Sequence, residues 1–234
     1  MFEVSCTNVL KMFAILAIEK IKQKNKRMIW LTNSIEFPAP ETASDEGIVA
    51  LGGDLSVARL IHAYNHGIFP WFSEGEPIVW YCPPKRMVLF PEELKITKSM
   101  RQVLRKNEFV ITENQAFKEV IYNCKNIERN EEFGTWITDA MEQAYINLHK
   151  KGIAKSIEVW QDNQLVGGLY GIDLESVFCG ESMFSKVSNT SKLAFIHLAQ
   201  NHNYKLIDCQ VYNEHLASLG AREIDRAVFL EMLD

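Results

Sequence analysis

The sequence predicts an α+β protein built around a mixed β-sheet, and three observations carry that prediction. Strand-like runs at 156–160, 164–172 and 177–185 follow one another through short turn signals. A helix-length segment, 188–200, then leads into a fourth run at 205–212, which makes a strand–helix–strand unit. Upstream, capped stretches with apolar residues at helical spacing alternate with short extended runs. Strands joined by tight turns and followed by a helical crossover fit a mixed sheet carrying helices.

The elements can be justified in order. Residues 1–27 stand apart from the rest. The apolar run 12–18 is too short to span a bilayer, and the basic run 20–27 follows it rather than preceding it, unlike a signal peptide. This segment reads as an N-terminal extension, with a membrane-surface anchor as the second reading. Phe37-Pro38-Ala39-Pro40 is extended, because each proline moves its predecessor out of the helical region. Ser56 caps a helix carrying Val57, Leu60, Ile61 and Tyr64 on one face and closing at Gly67. His62 and His66 lie four apart on it without a ligand set around them, and read as ordinary surface or core histidines.

Aromatic residues then cluster beside loop signals: Phe69, Trp71, Phe72 and Trp80. They suit a core plug, while Trp71 suits equally well a flat face for a nucleobase. After a strand-like Met87-Val88-Leu89-Phe90, a helix over 97–106 places Lys98, Arg101 and Arg105 on one stripe with Lys106 beside it. In a chain of net charge -5 this is the best local candidate for binding phosphates. Thr112 with Gln115 reads as a capping box ahead of Phe117, Val120, Ile121 and Cys124. Thr138 caps a further helix with Met141, Ala144, Tyr145 and Leu148 inward. Asp162-Asn163 is a turn, a short helix falls around 215–219, and a last one starts at Asp225 with an acidic cap.

Composition bounds the function. Hydrophobic content of 47% and charged content of 24% describe an ordinary globular protein, long enough at 234 residues for one or two domains. The acidic balance argues against indiscriminate coating of nucleic acid. Five scattered cysteines without a C-x-x-C favour reduced thiols over a disulfide framework or a zinc site.

The chemistry-bearing stretch runs from Phe178 to Gln210. Glu181 interrupts one apolar strand-like run, and Asp208 and Gln210 interrupt another. A carboxylate taken from water must be paired or hydrogen-bonded. Two such insertions in neighbouring runs therefore point to a site. Alternation puts Asp208 and Gln210 on one face of their strand and Phe178 and Met183 on opposite faces of theirs, unless a bulge at Gly180 intervenes. Asp208 also admits a purely structural reading as a cap for backbone donors.

Many ordered motifs in the chain resemble the leucyl/phenylalanyl-tRNA–protein transferase family. They are F-P-A-P, L-G-G-D-L-S, A-Y-N-H-G-I-F-P-W-F, G-T-W-I, S-I-E-V-W, L-V-G-G-L-Y-G, C-G-E-S-M-F-S, S-K-L-A, L-I-D-C-Q and S-L-G-A, spread from about residue 29 to the C-terminus. The resemblance implies a small N-terminal domain over 28–86 and a catalytic domain over 87–234 similar to the GNAT acyltransferases. It also suggests a start at Met28, which would make residues 1–27 an addition to the native chain. It implies transfer of leucine or phenylalanine, methionine less well, from aminoacyl-tRNA to proteins with N-terminal arginine or lysine. Such tagging leads to N-degron degradation, and the enzyme would act as a cytoplasmic monomer without cofactor, metal or membrane.

Carried over by position, the resemblance gives Asp208 and Gln210 the central catalytic roles and Glu181 a place near the acceptor. Leu169, Phe178, Met183, Phe195, Leu198 and Ile207 would wall the donor side-chain pocket. Trp71 and Trp136 would hold the terminal adenosine of the tRNA. Lys98, Arg105 and Lys106, with Arg101 added, would meet the acceptor-stem phosphates. The chain departs from the family pattern at residues 80–86, W-Y-C-P-P-K-R, and at Lys155.

An aminoacyl ester is already activated, so the reaction needs no enzymic nucleophile. Positioning contributes more than base catalysis, and Gln210 orients groups rather than taking protons. The rivals are an acyl-CoA transferase and a non-catalytic tRNA or peptide binder. The first is disfavoured because Gln164-x-x-Gly167 runs on as strand instead of turning into a helix.

Overall fold

The computed structural model describes residues 28–126 and 136–233. The 1–27 extension and the Gly134-Thr135 half of G-T-W-I lie outside the described residues. In chain order the strands are β1 (Trp30–Leu31), β2 (Ile48–Gly52), β3 (Phe69–Pro70), β4 (Val79–Tyr81), β5 (Lys85–Leu89), β6 (Val110–Glu113), β7 (Ala154–Gln161), β8 (Gln164–Asp173), β9 (Val177–Ser185), β10 (Leu206–Gln210) and β11 (Arg222–Asp225). The α-helices are α1 (Val57–Asn65), α2 (Lys98–Lys106), α3 (Phe117–Asn126), α4 (Asp139–Lys150), α5 (Thr190–Asn201), α6 (Glu214–Ala217) and α7 (Arg226–Glu231).

The strands form two sheets. A four-stranded sheet runs β1-β2-β4-β3, and a seven-stranded sheet runs β11-β5-β10-β9-β8-β7-β6. In the larger sheet only β9 and β10 are parallel, joined by α5; the remaining neighbours are antiparallel. The predicted mixed α+β architecture and strand–helix–strand unit are therefore present. The segment from Gln164 continues as β8 through Asp173, so no strand-to-helix turn follows Gly167.

Side-chain alternation explains how both faces of the large sheet are buried. Val88, Tyr170, Cys179 and Leu206 join the core shared with the small sheet, α1, α3, α4 and α7. Their strand neighbours Met87, Leu169, Phe178 and Ile207 join a second core beneath α2, α5 and α6. The β7–β8 hairpin turns through Asp162 and Asn163 at φ 49° and 60°, a two-residue turn whose positive angles these short polar residues tolerate. At Gly167 a Cβ would stand 2.3 Å from the Thr190 hydroxyl, so glycine lets the first turn of α5 lie directly on β8.

Local signals performed unevenly. Ser56, Thr97 and Thr138 accept from the backbone N–H three residues on, as capping requires. Thr112 does not: it lies inside β6, donates to Glu158 Oε2 at 2.6 Å and accepts from Trp160 Nε1 at 2.8 Å. The start of α3 is held instead by the buried Glu158 carboxylate, which accepts from the N–H groups of Gln115 and Ala116 at 3.4 Å. A cap supplied from 42 residues away along the chain overrides the local box. Asp225 does occupy the N-cap of α7 but makes no capping hydrogen bond, because its carboxylate takes Lys85 at 2.7 Å.

Candidate active site

Two irregularities in neighbouring strands build the site. On β9, Tyr170 pairs with Ser182 while Gly171 pairs with Gly180, so Glu181 is an extra residue without an opposite number. This bulge resolves the alternation problem, since Phe178 and Met183 both belong to the second core although five residues apart. It also turns Glu181 to the other face. On β10, Asp208 pairs with Val88 and Gln210 with Met87, leaving Cys209 as the extra residue. Gln210 then adopts a left-handed φ of 64°. The β9–β10 pairing ends at Asp208 and Cys179. Past that point the two parallel strands part, and the polar side chains gather where they do.

Glu181 is buried and fully engaged. Its Oε1 accepts from the Tyr64 hydroxyl at 2.7 Å and from Gln210 Nε2 at 2.9 Å, and its Oε2 accepts from the Tyr145 hydroxyl at 2.8 Å. Burial pushes its carboxyl up to about 7, against the pull of the two tyrosine hydrogen bonds. Burial likewise drives both tyrosine hydroxyls well above their usual range, so they remain donors.

Asp208, with 0% exposure, is engaged just as completely by other groups. Arg86 on β5 grips it through two parallel bonds, Nε to Oδ1 at 2.7 Å and Nη2 to Oδ2 at 2.6 Å. The remaining guanidinium nitrogen donates to the Gly67 carbonyl at 3.1 Å. The guanidinium carbon lies 4.7 Å from the centre of the Phe69 ring and 4.5 Å from that of Phe229. The backbone N–H of Gln210 donates to Asp208 Oδ1 at 2.8 Å. Arg86 thus holds Asp208, Asp208 holds the left-handed backbone of Gln210, and Gln210 delivers its amide to Glu181.

The expected donor-pocket residues Leu169, Phe178, Met183, Phe195, Leu198 and Ile207 come together in the second core, five of them buried and Met183 half-buried. A cleft of about 140 Å³ reaches Phe178 and Leu198 at the turn between β8 and β9, bounded also by Lys155, Asp173, His202 and Tyr204. Trp71 and Trp136 pack on each other with ring centroids 5.5 Å apart and only 7% and 5% of their surfaces exposed. Lys98, Arg101, Arg105 and Lys106 are exposed along α2, although Arg101 already donates twice to the Ile96 carbonyl. Among the described residues no group of three or more His, Cys, Asp or Glu side chains is arranged to hold a metal ion.

Arg86, Tyr64 and Tyr145 are site residues that the sequence reading does not reach. Arg86 is hidden because Lys85-Arg86 reads as a basic loop end, while its partner lies 122 residues away. The available signal is its alternation with Val88 on an apolar strand, which places a guanidinium in the core. The tyrosines are legible as inward helix positions, and a buried phenol needs an acceptor.

Known proteins resemble the chain over most of its length. A family model described as "Leucyl/phenylalanyl-tRNA protein transferase" matches residues 88–234, and the model of that family's N-terminal domain matches 53–84. The chain belongs to the leucyl/phenylalanyl-tRNA–protein transferase family. A family member from Flavobacterium johnsoniae is 61% identical over 209 residues, covering 88% of this chain and 99% of its own length. Another from Christiangramia forsetii is 52% identical over 211 residues, covering 88% of this chain and 100% of its own. A Yersinia enterocolitica transferase is 55% identical over 207 residues and 86% of each chain. A solved structure of a functionally unknown conserved protein from Staphylococcus epidermidis aligns at a TM-score of only 0.45 with 9% identity, over 76% of this chain and 68% of that one, and carries no argument.

The way the carboxylates are held has two measurable consequences. Removing one partner of a buried pair strands the other's charge, so Arg86→Met should cost about 3–5 kcal/mol in urea unfolding. Combining it with Asp208→Leu should recover most of that loss, and a single-variant cost below about 1 kcal/mol would show the clamp to be dispensable. For Glu181, the unfolded carboxyl ionises near 4.5 and the folded one near 7. Between those values the folded state keeps a proton that the unfolded state has lost, so stability is highest below the window and falls as pH rises through it. Thermal unfolding should therefore show Tm declining from pH 5 to 7 in the unaltered chain, with a flatter profile in Glu181→Gln.

Proposed function

We propose that this chain transfers leucine or phenylalanine from aminoacyl-tRNA to the α-amine of proteins beginning with arginine or lysine, which marks them for N-degron degradation. The observation that carries the reading is the gathering of Glu181, Gln210 and Asp208 where β9 and β10 part. The donor's side chain enters the apolar wall formed by residues such as Leu169, Met183 and Ile207. Its terminal adenosine meets the Trp71–Trp136 pair, and its acceptor stem lies along the basic face of α2. In this reading the chain works as a monomer in the cytoplasm. Among the described residues no helix is long and apolar enough to cross a membrane.

The roles follow from which charges remain available. Asp208 is neutralised by a guanidinium at 2.6 Å, and three N–H donors occupy its oxygens. It therefore acts by fixing Gln210. The carboxyl left to meet a cationic acceptor is Glu181, which the two tyrosines and Gln210 hold in place and whose ionised form the acceptor's own positive charge would favour. The Gln210 amide, scarcely basic, orients the attacking amine or the developing oxyanion.

Little general-base help is needed. An α-amine with a pKa of about 7.7–8.0 is roughly a tenth to a third neutral near pH 7–7.5. Holding that amine against an activated ester can supply an effective molarity of ~10⁵ M or more.

Incubation with labelled leucyl-tRNA and an arginine-ended peptide should give label on the peptide, and acetyl-CoA should give none. Glu181→Gln should raise KM for the peptide; an unchanged KM removes the acceptor role from Glu181. Donor affinity should drop steeply with added salt, and less steeply after Lys98→Ala with Arg105→Ala, because a phosphate that meets no cation keeps its condensed counterions. Salt-independent binding would exclude the α2 face.

A further inference from the structure

Tyr64, Tyr145 and Glu181 close a ring of oxygens whose protons can be counted. The Tyr64 hydroxyl lies 2.7 Å from Glu181 Oε1 and the Tyr145 hydroxyl 2.8 Å from Oε2, while the two hydroxyls stand 2.5 Å apart. Oxygens this close attract only when a proton lies between them. Were Glu181 ionised, the two phenols would bring two protons to three contacts. One contact would then hold facing lone pairs, whichever way the hydroxyls turned. All three side chains are buried, where such a mismatch is costly.

The surrounding groups do not make up the shortfall. Gln210 Nε2 already donates to Oε1 from outside the ring, at 2.9 Å. Beyond it, Asp208 takes Arg86 Nε and Nη2, and Arg86 Nη1 donates to the Gly67 carbonyl. The Cys179 thiol faces Asp208, and Tyr170 packs its ring edge-on against that of Tyr145 with centroids 5.5 Å apart. A proton on the carboxyl itself completes the ring. Tyr64 then donates to Oε1, Tyr145 to Tyr64, and Oε2–H to Tyr145, so that each contact holds one proton. The raised carboxyl agrees with this count, burial having pushed it up to about 7.

We infer that Glu181 waits as a neutral acid in this ring, with Tyr64 and Tyr145 as positioning residues, and that the acceptor's cationic end displaces its proton. The inference rests on the transferase reading above and adds that acceptor binding is coupled to proton release. The Glu181 O–H bond breaks, its proton leaves to water, and an N–H of the ammonium or guanidinium meets the carboxylate in its place. Both hydroxyls then donate to the carboxylate, and their own contact opens. The site stays neutral throughout, so no bare charge is buried before the acceptor arrives.

The test compares the acceptor KM of the unaltered chain with that of Glu181→Gln, whose amide copies the neutral acid but has no proton to yield. The titration of the acceptor's α-amine enters both profiles and cancels in their ratio. Displacing one proton should weaken acceptor affinity in the unaltered chain about tenfold per pH unit below the carboxyl's titration. Its advantage over Glu181→Gln should therefore shrink by about that factor from pH 6 to pH 5. Infrared difference spectra of the two full chains at pH 6 should show a protonated-carboxyl C=O band in the unaltered one. A saturating arginine-ended peptide should remove that band. Tyr145→Phe should shift it, since the acid proton loses its acceptor, which a tyrosine that merely filled space would not cause.

A missing band, a band that survives saturating peptide, an unshifted band in Tyr145→Phe, or parallel KM profiles would each overturn the inference. If the unaltered chain transfers nothing to the peptide, the transferase reading falls and the acceptor step with it. If it transfers and the band is missing, this inference falls alone.

Discussion

The Arg86–Asp208 pair is the constraint on which the site depends. Two carboxylates, Asp208 and Glu181, occupy the inner part of a sheet that is buried on both faces. Burial first, and the charge of Asp208 after it, hold the Glu181 carboxyl up near 7. Such an arrangement survives only if one charge is neutralised outright and the other is fully hydrogen-bonded. Arg86 does the first with a planar fork that a lysine could not reproduce. Tyr64, Tyr145 and Gln210 do the second.

That division explains why the small sheet and one face of the large sheet share a single core. Tyr64 comes from α1, beside the small sheet, and Arg86 enters on the first strand after it. Phe69 and Phe229, which flank the guanidinium, are far apart along the chain yet belong to one core. The site is thus assembled at a junction. Its polar groups are fixed by rigid strands and helices rather than by loops, which suits a reaction where placement supplies most of the acceleration.

Much of this was legible in the sequence, and what was not has a common cause. Strands β7, β8 and β9 and helices α1, α2 and α4 were readable because periodicity, turn residues and caps are local. The isolated acids Glu181 and Asp208 stood out because charge in an apolar strand is anomalous at short range. Their partners did not, since Arg86 is 122 residues from Asp208, and Tyr64 and Tyr145 are 117 and 36 residues from Glu181. The same limit misdirected the start of α3, where Thr112 and Gln115 form a plausible box but Glu158 from another strand supplies the cap. Strand β11 and the β10 bulge escaped because both depend on pairing with β5. The β9 bulge was foreseeable only as the condition that would place Phe178 and Met183 together.

The two bulges, taken jointly, show how a sheet can present a polar cluster on one face and an apolar wall on the other within a few residues. Regular alternation would place Glu181 and Met183 on the same face of β9. The extra residue at Glu181 separates them, sending the carboxylate to Tyr64 and Tyr145 and the thioether toward the second core. On β10 the extra residue at Cys209 lets Gln210 turn back through a left-handed conformation, so its backbone meets Asp208 while its side chain meets Glu181. The parallel pairing stops at Asp208 and Cys179, so both irregularities lie just past the last ladder pair, where polar and apolar side chains on opposite faces come within a few residues of each other. An ester whose carbonyl must face polar donors while its side chain seeks apolar cover needs such a crossing point, and an unbroken ladder would not offer one.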